Sequence, residues 1–176
     1  MQLHFKKGRD GPSTLACVRP DGSRTWQRQP RGLPEHDLAH FAVESTLGLA
    51  DGFFGLLARG HDLGDFAAPE IRRALPPETA WTEHVVGMVQ TDLGSGLRRN
   101  ADELNADLAG FFAGQSETCP RVLDTPQLDA IRRRLEGLLA RWHTLPPGHT
   151  LTLVFLSNPP QPNATTTAVL HAPMVT

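Results

Sequence analysis

Two histidines and two carboxylates fall close together in the chain, at His36, Asp37, His40 and Glu44. On an α-helix each residue advances by about 100°. With His36 at zero, His40 lies about 40° round, Glu44 about 80° and Asp37 about 100°. Leu38, Phe41, Ala42 and Ser45 fall between about 140° and 240°. One face therefore carries the polar groups and a separate face supplies the core. Side chains at i and i+4 stand above one another, so His36 and His40 can share one divalent ion. Glu44, one turn further on, is the expected third ligand. Imidazole and carboxylate donors suit a borderline ion, Zn²⁺ above all. Asp37 is then the expected base or ligand-orienting group, and the expected chemistry is metal-assisted hydrolysis. The competing expectation is a non-enzymatic interaction domain, in which the same four groups form a structural polar network.

The string His36-Asp37-x-x-His40 resembles the zincin H-E-x-x-H motif, with Asp for Glu. The resemblance implies an acid acting on a metal-activated water. Asp is one methylene shorter, so that geometry would differ, and the downstream zincin ligands are not evident. His36-Asp37 also resembles the paired residues of the HD phosphohydrolases, with Asp92 in the place of a final ligand. That fold needs a histidine on a preceding helix, and the upstream His4 falls in a strand pattern.

A broader resemblance covers the first third of the chain. Val18-Arg19-Pro20-Asp21-Gly22-Ser23-Arg24-Thr25-Trp26-Gln27-Arg28 is followed by His36-Asp37-Leu38-Ala39-His40-Phe41-Ala42-Val43-Glu44, then by Leu47-Gly48, Phe53-Phe54-Gly55-Leu56 and Asp62-Leu63. This portion resembles an uncharacterised family of small bacterial proteins. The resemblance implies a shared fold unit and a shared His/Asp/Glu helix, not a reaction.

Outside that helix, Glu83-His84 is a pair that can complete a site from a second helix. Trp81, Val85 and Met88 mark that helix's core stripe. Glu83 lies off the stripe and reads as solvent-facing; His84, at its edge, is the better ligand. Asp92 falls on the apolar side and demands a buried partner. His61-Asp62 reads as a loop pair. No serine sits in a Gly-x-Ser-x-Gly elbow, and Gly94-Ser95-Gly96 is too short for a phosphate loop.

The elements that position these groups are legible from periodicity. Leu3 and Phe5, Leu15 to Val18, and Arg24 to Gln27 read as three strands of an antiparallel meander, with Pro20-Asp21-Gly22 as a turn. Pro34 opens a helix to about Thr46. Short helices follow at Phe53–Leu57 and from Pro69 until Pro76-Pro77. Longer ones run from Thr79 to about Asp92 and along Leu104, Leu108, Phe111 and Phe112, the latter opened by an Asn100/Glu103 capping box. Leu128, Ile131, Leu135, Leu138, Leu139 and Trp142 trace the cleanest amphipathic helix, with Thr125 as its N-cap. Thr150 to Leu156 reads as a strand returning to the meander. The expected fold is α+β: a small antiparallel sheet from both ends of the chain, packed against four or five helices. A single domain spans 1–157, and a loose Pro/Thr-rich tail spans 158–176, with an edge strand at Ala168-Val169-Leu170.

The chain has 176 residues, 39% of them hydrophobic, enough for one packed core. A formal charge of -2 gives no reason to expect a nucleic-acid partner. No apolar run is long enough to span a bilayer, and Met1–Lys7 has no signal-peptide core. A cytoplasmic location is expected, with Cys17 and Cys119 as free thiols. A protein partner or a homo-oligomer is the partner class left open.

Overall fold

The computed structural model describes residues 1–156. The expected tail and its edge strand lie outside the described residues. Four antiparallel strands form one sheet in the order β3-β2-β1-β4. They are β1 (Gln2–Lys6), β2 (Ser13–Val18), β3 (Arg24–Gln29) and β4 (Thr150–Val154). The expected meander is present, and the C-terminal strand does return, pairing with β1. In the β2–β3 turn Gly22 adopts φ 85°, a conformation that costs a residue without Cβ nothing.

Register follows from the apolar alternation. Leu3 stands opposite Cys17 and Leu153, and Phe5 opposite Leu15 and Leu151. All six side chains turn to the same buried face. A slip of one residue would expose the whole set, so the register is strongly specified.

The helices are α1 (Leu33–Leu47), α2 (Phe53–Ala58), α3 (Pro69–Arg73), α4 (Pro77–Ser95), α5 (Ala101–Gly114) and α6 (Thr125–Thr144), and α1 packs on the sheet at β2. A 3₁₀ turn at Leu63–Ala67 precedes α3. Among the described residues there are six helices, the short α2 and α3 included, and the α+β architecture is as expected. Pro76-Pro77 both stops α3 and opens α4, and α4 continues through Gly94 and Ser95 to Gly96. The expected capping box of α5 is present. The cap of α6 is Asp124 rather than Thr125; its carboxylate accepts from Gln127 N while Gln127 reaches back.

Helix α1 lies at the centre, packed against α2, α4 and α6. It is buried almost all round, from Pro34 and Asp37 through Glu44. The polar face of the helix therefore meets α2, α4 and, through Asp37, β3.

The expected buried Asp92 is present and has its partners. It is 2% exposed and accepts from Arg99 Nε at 2.7 Å and Arg132 Nη2 at 2.9 Å. Arg132, itself 8% exposed, is a buried clamp between α4 and α6. Asp92 thus holds two helices together through its arginine partners.

Candidate metal centre

Helix α1 presents His36 and His40 one turn apart, and α4 brings Glu83 across to them. Donor atoms of these three side chains all lie within 4.8 Å of one another. His40 Nε2 is 3.2 Å from Glu83 Oε1, and His36 Nε2 is 3.7 Å from Glu83 Oε2. The two imidazoles meet edge to face, with centroids 4.8 Å apart.

The other nitrogen of each ring is also held. His36 Nδ1 is 3.0 Å from Gln90 Oε1 on α4. An amide oxygen only accepts, so Nδ1 is the donor there, and a neutral ring would turn its Nε2 lone pair toward Glu83. His40 Nδ1 donates to Glu44 Oε1 at 3.1 Å. Both rings therefore direct Nε2 toward Glu83, and each is fixed from behind by an acceptor. A metal-binding histidine is ordinarily held in this way.

Glu44, expected as the third ligand, stands behind His40 and is not among the converging donors. It is fully buried. Its second oxygen accepts from Gly55 N at 3.1 Å in the first turn of α2, where a negative charge meets the helix dipole. Gly52 permits this burial: a Cβ there would come within 2.5 Å of the Glu44 carboxyl carbon. Adding one more turn to the helical wheel placed Glu44 on the right side, but at i+4 from His40 it meets Nδ1, not Nε2.

Asp37 stands outside the cluster. It is 3% exposed, and its carboxylate accepts a hydrogen bond from the Gln29 amide on β3. Burial pushes its pKa up to about 7, against the pull of His40.

The expectations for Glu83 and His84 reverse. His84 stacks on Phe111 with ring centroids 3.5 Å apart, about 100° round α4 from Glu83, and is not among the converging donors. Glu83 is half exposed and enters the site. The sequence held a signal for this: Glu83 and Gln90 are two turns apart on one face of α4, and together they match the two histidines of α1.

Without an ion, His40 supplies the positive charge between the two carboxylates. Burial works against a charged His40, but the two carboxylates flanking it prevail and raise its pKa to about 10. Burial also pushes Glu44 upward, opposed by His40, whereas for Glu83 the His40 interaction outweighs burial and holds the carboxyl low.

Zinc with three protein donors needs nitrogen or oxygen at about 2.0–2.2 Å, which sets donors roughly 3.3 Å apart. The His40–Glu83 pair already meets that spacing. His36 and Glu83 are 35% and 51% exposed, so the wider gaps lie on side chains with room to move. His40, the buried member, is the fixed point.

No family model matches the chain, and no curated protein or solved structure matches it.

Proposed function

We propose that this chain binds one divalent transition metal, zinc by its donor set, through His36, His40 and Glu83, and acts as a metal-dependent hydrolase. The observation that carries the reading is the double anchoring of the histidines. Gln90 and Glu44 hold both Nδ1 atoms, and both Nε2 atoms face one carboxylate. Bound zinc supplies Lewis acidity and an activated water. The protein's part is orientation: Glu44 increases the basicity of His40, and Phe53, packed 5.3 Å from the His40 ring, shields its flank. Asp37, the residue expected as base, is assigned no catalytic step, because its carboxylate faces Gln29 and stands outside the donor cluster. The two free cysteines support a reducing, cytoplasmic setting.

A second reading has its own support. A protonated His40 bridging Glu44 and Glu83 is a complete ion network that ties α1 to α4 with no metal. In that case the domain is non-enzymatic and its partner is a protein or a second copy.

Zinc titration of chelator-stripped protein separates the two. The metal reading predicts one zinc per chain, with binding lost in His40→Ala and sharply weakened in Glu83→Ala. Hydrolysis of activated ester and phosphoester probes should then follow zinc occupancy. No saturable zinc site in the wild-type protein would leave the ion network as the correct account.

A further inference from the structure

The half-exposed side of Glu83 opens into a cleft of about 600 Å³ between the 3₁₀ turn, α3 and α4. That volume is within the range of small-molecule sites. Two aromatic rings, Phe53 and Phe66, face each other across one wall with centroids 4.8 Å apart. Phe53 is the same ring that packs on His40, so this apolar wall is continuous with the metal centre. The α3 wall contributes Arg72 and Arg73. Among the described residues neither guanidinium forms an ion pair, which leaves both free to meet an anion in the cleft. Helix α3 buries no residue, so its two arginines do not serve the core.

We infer that this cleft is the substrate site, and that it takes a small oxyanion, carboxylate or phosphate, bearing an aromatic or other apolar group. The inference rests on the proposed metal centre. Guanidinium groups match the planar or tetrahedral oxygens of such anions through paired N–H donors. The Phe53–Phe66 wall matches the apolar group. Glu117 lines the same cleft and repels an anion from its own side, which leaves the arginine side for the negative charge. Glu83 would also repel an anion while uncompensated. A bound metal neutralises it, so anion binding is coupled to metal loading.

The test uses zinc-loaded protein with benzoate, phenyl phosphate and uncharged benzyl alcohol as probes, followed by calorimetry, with zinc content measured on the same samples. The expected result is saturable binding of at least one of the two anions. Arg72→Ala/Arg73→Ala should weaken it at least tenfold while zinc stays at one per chain. Benzyl alcohol should bind at least tenfold more weakly than the preferred anion. The better of the two anions identifies the oxyanion class. A full zinc complement with no anion binding, or with binding indifferent to both arginines, overturns the cleft assignment and leaves the metal centre standing. Wild-type protein that holds no zinc overturns the metal centre, and this inference falls with it.

Discussion

The Glu83 carboxylate of α4 reaches the buried His40 of α1 at 3.2 Å, on the ring nitrogen opposite the one that Glu44 holds. The two acids therefore have different tasks, and replacing each should have different consequences. Glu44→Gln keeps an acceptor behind His40 and should lower zinc affinity by about 10–100-fold, the usual cost of disturbing a ligand's support. Glu83→Ala deletes a donor and should cost more than that. Zinc titrations of both variants check this. If Glu44→Gln abolishes binding while Glu83→Ala leaves it intact, the ligand assignment is wrong.

Gly52→Ala should act on the metal centre without touching it. The added Cβ would meet the Glu44 carboxyl at 2.5 Å in a fully buried setting. Glu44 must shift, and His40 then loses its fixed orientation. The expected outcome is weaker zinc binding, with the variant still folded by circular dichroism. Unchanged zinc affinity would show that the Glu44 anchor does not matter.

Stability without metal should fall as pH rises. Asp37 is raised to about 7 and His40 to about 10, both above their ordinary values of 3.8 and 6.5. The folded state therefore binds more protons than the unfolded one. The stability from Asp37 is complete below about pH 4 and is lost toward 7; that from His40 is complete below about 6.5 and is lost toward 10. Zinc needs His40 without its ligand-side proton, so its affinity should rise over the second window. At 100-fold excess over Kd a specific ligand adds about 2.7 kcal/mol, roughly 5–10 °C in Tm for a chain of this size. With zinc fixed, the Tm gain should be larger at pH 8 than at pH 5.5. A gain independent of pH would mean that the ion binds away from His40.

Asp92 is predicted to matter for stability alone. Asp92→Ala leaves Arg132, only 8% exposed, without its carboxylate. Breaking a buried pair in this way costs about 3–5 kcal/mol, on the order of 10 °C in Tm. Zinc stoichiometry at low temperature should stay at one per chain. Loss of zinc in a variant that remains folded would tie Asp92 to the site after all.

Local signals made most of the fold readable. Alternating Leu3 and Phe5, the Pro20-Asp21-Gly22 turn and the Leu128-to-Trp142 stripe each specify an element by its own period. The site was half readable for the same reason. His36 and His40 lie on one helix, where spacing alone decides their relation. Glu83 and Gln90 come from another helix, and only the packing of α4 on α1 brings them in. Glu83 looked solvent-facing because it lies off its helix's core stripe, and it is in fact half exposed while still reaching both histidines. Glu44 was assigned too much because the helical wheel gives a face but not which ring nitrogen a neighbour meets.

The most direct test of the account is an anomalous-scattering map at the zinc edge from crystals grown with one equivalent of zinc. The account predicts one strong peak about 2.0–2.2 Å from His36 Nε2, His40 Nε2 and a Glu83 oxygen, with Glu44 still on His40 Nδ1. A map with no peak there, and His40 still bridging Glu44 and Glu83, would contradict it.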